Sequence, residues 1–400
     1  VRVHGALPPG RYLPDYARDL VRMHDVVIAG GRPELRPRDV VSRSWSRVQR
    51  LGLTADGLNA RDCLPEGELA RRRRESPLRD VISELKQVFG AVSDASHTLL
   101  VVTDADGVIL WRDGASSVRR RADSLGFLEG TEWTEAKVGT NAIGTALAEA
   151  APVELLAGEH FEQDQHPWYC TASPVHDPRT GELLGVIDVS GPALTLHPAI
   201  GALVESGRRL AESQLWRGHQ LRLERLRQAG EPLLTAVSGP ALLVDDNGWV
   251  AHSSGVAVGE RIAVPVAGQA VAVPGLGACL PERLPGGWLV RPSSPGRTVL
   301  LDLDLSRTPL LRMRAGDTGW RRRLTKRHAE ILVLLHTAGP AGLSAEALSR
   351  ALFGDAEHLV TVRAEVSRLR RLLGAFVDTQ PYRLAEGVRM TVHPGPETAG

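Results

Sequence analysis

Apolar residues Val40, Val41, Trp45 and Val48 recur at helical spacing between Asp39 and Leu51, and Gly52 supplies a stop. Upstream, residues 1–36 carry proline and glycine at scattered positions and end in GGRPELRP. Downstream, Glu66 to Glu75 is strongly charged, with arginine at 71 to 74, and reads as a solvated helix face. Residues 1–75 therefore form an N-terminal helical segment. From 76 to 196 the pattern alternates between strand and helix. Thr98 to Thr103 is an apolar run of strand length, Asp104 to Gly107 is a turn signal, and Val108 to Trp111 returns as a second strand. Val138 to Ala148 reads as a helix, with Thr134 or a neighbour as its cap. Tyr169–Val175 and Leu183–Val189 form a hairpin around Asp177-Pro-Arg-Thr-Gly181. This order predicts an antiparallel sheet with helices on one face.

From His197 to Ala229 the pattern is one long helix, with stations at Ile200, Leu203, Val204, Leu210, Leu215, Leu221 and Leu226. A long helix with a narrow apolar stripe serves as a connector, a dimer seam or both. Residues 230–306 form a smaller β-rich unit with strands at Ala241–Val244, Trp249–His252, Ala270–Val273, Trp288–Arg291 and Thr298–Leu303. Its hairpin VDDNGWVAH is similar to TDADGVILW in the preceding unit. Residues 307–400 carry three short helices and a hairpin. Thr325 caps the first helix and Ser344 the second, which ends near Gly354. The third, Thr361 to Leu373, buries Val362, Val366, Leu369 and Leu373, leaving Arg363, Ser367, Arg370 and Arg371 exposed and Arg368 on the flank. Asp378 to Val392 follows as a hairpin around Ala385-Glu-Gly387. The fold class is α+β and multidomain.

Composition adds a local contrast. The net charge is +1, yet residues 310–390 carry 14 basic and 8 acidic residues. A basic module thus stands against a remainder that is acidic on balance. Arginine on the outer face of a helix can bond guanine or neutralise phosphate in a major groove. The three cysteines, Cys63, Cys170 and Cys279, are far apart, which fits a reducing compartment. No signal-peptide pattern and no run of 18 apolar residues is present, so a cytoplasmic protein without a membrane span is expected. No CxxC pair occurs, and EHFEQDQH, with His160, Asp164 and His166, matches no strong metal signature. Neither a metal nor another cofactor is expected. No nucleophile–base pair stands at catalytic spacing, so the chain does not read as an enzyme.

Two resemblances sharpen this reading. LTKRHAEILVLL, GLSAEALSRALFG, TVRAEVSRLRRLLG and TQPYRLAEGVRMTV resemble the winged helix of OmpR-type regulators. That resemblance makes Thr361–Leu373 the recognition helix and Gln380–Arg389 the wing. It implies double-stranded DNA contact by Thr361, Arg363, Ser367, Arg368, Arg370, Arg371, Gln380 and Arg383. GTEW at 130, VGTNAIGTA at 138, EHF at 159, WYC at 168 and GVIDVSG at 185 resemble the GAF domain of AcoR- and DhaR-type regulators. SRSWSRVQRLGL is similar to the helix that precedes that domain. This implies a pocket for a small ligand or a surface for a partner protein, with Trp133, Asn141, His160, Phe161, Trp168, Tyr169 and Cys170 as candidate contacts. The bland reading keeps the aromatics as core and Asn141 as a cap. LLVDDNGWVAHSSG at 242 resembles a PAS hairpin.

The sequence departs from AcoR-type activators in one respect. Their ATPase needs GxxxxGK[ST], and no Gly-Lys dipeptide occurs in these 400 residues. The segments are expected as an N-terminal helical region (1–75), a GAF-like sensor (76–196), a connector and dimerisation helix (197–229), a PAS-like unit (230–306) and a winged helix (307–400). The reading is a one-component, homodimeric DNA-binding regulator, with RNA polymerase as a further contact. The alternative is a protein-interaction adaptor without specific DNA binding.

Overall fold

The computed structural model describes residues 6–56, 59, 61–237, 239–292, 299–315, 318–373, 376–385 and 388–393. The chain divides into two compact units, Val1–Pro178 with Leu183–Leu215, and Arg179–Glu182 with Trp216–Gly400.

In the first unit α1 (Leu13–Ile28), α2 (Asp39–Val48), α3 (Glu66–Glu75) and α4 (Ile82–Ser96) precede the hairpin β1 (Leu99–Thr103) and β2 (Ile109–Gly114). Then come α5 (Ser116–Asp123), α6 (Glu135–Val138), α7 (Ala142–Glu149), β3 (Val153–Leu156), β4 (Trp168–His176) and β5 (Leu183–Pro192). The strands form one antiparallel sheet in the order β2-β1-β5-β4-β3. The expected antiparallel sheet is present, but its helices cover both faces. α7 packs over the face carrying Cys170, Asp188 and Ser190. On the opposite face Gly90 of α4 approaches Asp113, whose partner Leu100 pairs with Val189.

The sequence pattern passed over α1. Pro14 opens it, and Tyr16, Leu20 and Met23 bury a stripe in the same core as the sheet. The helix and the loop after β3 approach so closely that a Cβ at Gly158 would lie 2.3 Å from the Leu20 carbonyl oxygen. The helix expected from Val138 is interrupted. α6 ends at Gly139, and α7 starts only after Asn141, whose side chain accepts a hydrogen bond from the Gly144 N–H at 2.9 Å. Thr134 precedes α6 but makes no side-chain cap. The arginines of α3 are a solvated face only in part: Arg71 and Arg74 are exposed, whereas Arg72 and Arg73 are half-buried, Arg73 donating to the Leu110 carbonyl and pairing with Glu129. Arg71 pairs with Glu68 and Glu75, and Arg72 with Asp104 and Asp106.

α8 (Ile200–Ala236) is a single helix of 37 residues that continues through Pro232, beyond its expected end. Its residues to Leu215 group with the first unit and those from Trp216 with the second. The second unit continues with β6 (Ala241–Val244), β7 (Val250–Ser254), β8 (Val271–Val273), β9 (Gly277–Leu284) and β10 (Gly287–Pro292). They form a sheet in the order β7-β6-β10-β9-β8. β9 was not expected; Pro281 and alternating exposed residues mask its apolar face. Leu226 and Leu234 of α8 pack with Ala241, Leu243 and Leu289.

The two five-stranded sheets share one strand order, and they open with one kind of hairpin. Asp104 Oδ1 accepts from the N–H groups of Asp106 and Val108, each at 3.0 Å. Asp245 Oδ1 accepts likewise from Asn247 and Trp249 at 2.9 and 2.8 Å. Gly107 and Gly248 both sit at φ +81°, which the turn requires.

The rest of the second unit is β11 (Val299–Asp304), β12 (Leu310–Ala315), β13 (Thr318–Arg323), α9 (Lys326–Ala338), α10 (Ala345–Phe353), α11 (Leu359–Leu373), β14 (Val377–Thr379), β15 (Tyr382–Leu384) and β16 (Val388–His393). Two expectations change here. β11 does not join the β6–β10 sheet but pairs with β12 and, in parallel, with β16. The two-stranded hairpin is β14–β15, turning at Gln380–Pro381, and not a hairpin around residue 386. The physical cause is apolar alternation. Met390 of β16 finds buried partners in Leu301 and Leu303 of β11. Thr298 and the Glu386–Gly387 turn lie outside the described residues.

Candidate functional site

The helical face of the second unit is built from capped helices. The Thr325 and Ser344 hydroxyls accept from the His328 and Ala347 N–H groups, each at 3.1 Å, and start α9 and α10. Both caps agree with the sequence reading, as does the stripe of α11: Val362, Val366, Leu369 and Leu373 are buried. Thr361, Arg363 and Arg368 are exposed. Arg368 pairs with Glu365 of its own helix at 2.5 Å. Ser367 and Arg371 are half-buried. Arg370, expected on the open face, is half-buried too, and burial lowers its pKa from the usual guanidinium value. Glu260, Asp378 and Tyr382 lie around it, whereas Arg363 of the same helix stays exposed. Gln380 is exposed at the hairpin tip, while Arg383 is held by Asp378 at 3.0 Å. Two neighbouring strands add to the charge, because Arg321, Arg322 and Arg323 of β13 are exposed and Arg312 of β12 is opposed by Arg321.

In the first unit a small cavity of about 20 Å³ lies between the sheet and α7. Of the seven sensor candidates, Trp133, Asn141, Trp168 and Cys170 line it; His160, Phe161 and Tyr169 do not. Trp133 donates from Nε1 to Thr131 Oγ1 at 3.0 Å and meets Phe127 edge-on. Asn141 is the α7 cap and its Nδ2 donates to the Gly139 carbonyl at 2.9 Å. Burial and the nearby Asp188 carboxyl push the Cys170 thiol up, so it is a poor thiolate. Tyr169 points to the opposite sheet face, where it lies against Gly191. His160 is buried with Nδ1 on the Ala157 carbonyl at 3.0 Å, and burial lowers its pKa to about 4. Burial and the neighbouring His24 and His160 take His166 to about 4 as well. Among the described residues no group of three or more His, Cys, Asp or Glu could hold a metal ion.

Leu125, Phe127, Ala142, Ile143, Gln165, Asp188 and Ser190 complete the wall. None of these was a candidate from the sequence. Asp188 had a signal: an acid within the apolar run GVIDVSG, on a strand buried on both faces. Its Oδ2 accepts from Ser190 Oγ at 2.5 Å, and Oδ1 has no partner among the described residues. Burial, against the smaller effect of Ser190, lifts its pKa to about 7. The loops around the cavity are tied by buried ion pairs. Glu162 takes bonds from the Asn59 N–H and Nδ2, Arg61 and Gln165. Arg38 binds Glu159 at 2.6 Å, and Arg47 binds Glu135 at 2.7 Å.

Over 389 residues the chain is 31% identical to the uncharacterized 47.3 kDa protein in the thcA 5′ region of Rhodococcus erythropolis, covering 95% of this chain and 72% of that one. The chain belongs to that protein's family. Residues 33–214 match the family described as MimR, N-terminal domain, which spans the cavity and every element around it. The acetoin dehydrogenase operon transcriptional activator AcoR of Bacillus subtilis is 32% identical over 55% of this chain and 36% of its own length. The propane 2-monooxygenase operon transcriptional activator MimR of Mycolicibacterium smegmatis is 29% identical over 50% of this chain and 34% of its own. The chain thus matches about a third of each activator. These relatives carry the names of regulators, not of enzymes. Among the described residues no helix is long and apolar enough to cross a membrane.

Proposed function

We propose that this chain is a DNA-binding transcriptional regulator, with a GAF-type sensor in the first unit and a winged helix of OmpR type in the second. The observation that carries the reading is α11. Its buried stripe fixes which side faces out, and that side presents Thr361, Arg363 and Arg368 beside the exposed Gln380. The names of AcoR and MimR support the same class, and the matched family covers the first unit from residue 33 to residue 214. Cavity occupancy, by a small effector, would act by binding one conformational state better than another. Leu221 and Leu233 stay exposed on α8, and a homodimer would cover them.

Purified full-length chain should bind DNA from upstream of its own gene, with affinity falling steeply as salt rises. R363A should cost about 1–3 kcal/mol of that binding and leave the melting temperature unchanged. Combining R363A with R370A and R371A should abolish binding. Unaltered binding by the triple variant sinks the recognition-helix assignment. Absent DNA binding together with a stable protein complex favours the adaptor.

A further inference from the structure

The shared strand order makes positions in the two sheets comparable. Three residues before the turn aspartates stand Val101 in the first sheet and Leu242 in the second. Val101 pairs with Asp188, and Leu242 pairs with Val290. The same point on the central strand holds a carboxyl in one sheet and a valine in the other, and each is 0% exposed. This topology therefore closes without an acid. A buried carboxyl with no cation beside it costs stability, so its presence asks for another reason.

We propose that Asp188 Oδ1 anchors a small, mainly apolar molecule through that molecule's hydroxyl group, inside the cavity beneath α7. The proposal rests on reading the first unit as the sensor, and it names the chemistry of the effector. Asp188 lines the cavity, its Oδ2 is already occupied by Ser190, and Oδ1 lacks a partner among the described residues. Of the two amides on the wall, Asn141 is engaged at both ends by Gly144 and Gly139, and Gln165 donates from Nε2 to Glu162 at 2.8 Å. Among the described residues of the wall, Asp188 Oδ1 is the buried side-chain oxygen left without a partner.

A hydroxyl suits that oxygen better than other groups. With Asp188 near neutrality, both of its protonation states are populated at neutral pH. A carboxylate only accepts, whereas a carboxylic acid also donates. A hydroxyl does both and satisfies either state. A carbonyl ligand would serve only the acid. An ammonium would serve only the carboxylate. Leu125, Phe127 and Ile143 supply an apolar surround for the rest of the molecule. The space is small, because a single water needs roughly 10–15 Å³ of such volume, and it limits the ligand to a few non-hydrogen atoms.

Ethanol and dimethyl ether are isomers that differ in the hydroxyl, and saturation-transfer NMR on the full chain can compare them as probes. Ethanol should give the signal, and the ether should bind about tenfold more weakly. D188N, which still accepts and donates, should keep ethanol binding. D188V should lose it while folding at least as stably as the parent. Equal binding of the two isomers, no ethanol binding, or ethanol binding untouched in D188V overturns the proposal. A D188V chain that fails to fold overturns it as well, since the carboxyl would then serve the scaffold. Salt-dependent DNA binding, measured on the same samples, reports separately on the regulator reading.

Discussion

In the first unit the sheet faces α7 across a cavity, and its central strand β5 places Asp188 and Ser190 on the wall. In the second unit the same strand order closes over Leu242, Val244, Cys279, Trp288 and Val290, an apolar core. The hairpins that open both sheets are alike down to the aspartate in the turn. One chain therefore holds two solutions of one topology, and the difference isolates what the scaffold requires from what it does not. Turn aspartates and the buried apolar alternation recur. The buried carboxyl, the cavity and the ion pairs that tie its surrounding loops belong to the first sheet.

The sharpest way to break this contrast is to transplant the acid. V290D places an unpaired carboxyl in the second core and should cost about 3–5 kcal/mol in chemical denaturation. A near-neutral result would mean that the two central strands tolerate charge equally. Next in size is E162A, which leaves Arg61 (side chain 6% exposed) without its buried partner. A loss of about 3 kcal/mol is expected, along with weaker ethanol binding as the loops around the cavity loosen. D188V should be the mirror image, a gain of about 1–2 kcal/mol at pH 8 on removing a buried polar group.

The pH profile refines the comparison further. Asp188 has a folded pKa near 7 against an ordinary 3.8, so the native state holds its proton more tightly. Its contribution is full at low pH and is lost as pH rises from about 4 to about 7. His160 and His166, buried and lowered to about 4 from 6.5, act in the opposite sense. Their contribution is full above pH 6.5 and is lost as pH falls toward 4. Two histidines outweigh one carboxyl, so the parent should lose stability on acidification, and D188V, without the opposing carboxyl, should lose it more steeply. A flat profile for D188V would remove Asp188 from the balance.

Local signals were well written in the sequence. The turn residues at 104–107 and 245–248, the caps Thr325 and Ser344, and the stripe of α11 all depend on neighbours within a few residues. Long-range pairing was not. β16 joins β11 because apolar residues far apart in the chain fit one face, and no local pattern states that. α1 hid behind flanking proline and glycine. In the sensor site the aromatic motifs drew notice, although Phe161 and Tyr169 are core. Asp188 was passed over because an acid in an apolar strand acquires meaning only once its lack of a partner is seen.

The parallel pairing of β11 with β16 also orders the protein's birth. Val299–Asp304 leaves the ribosome well before Val388–His393, and α9, α10 and α11 are all made in between. Until the later strand emerges, one edge of β11 stays open, with Leu301 and Leu303 on a half-built sheet. The helices can form early from their own caps, but the platform beneath them closes only once Val388–His393 has been made. Chains truncated before residue 388 should accordingly be the ones that chaperones hold, and chains that include Val388–His393 should be released.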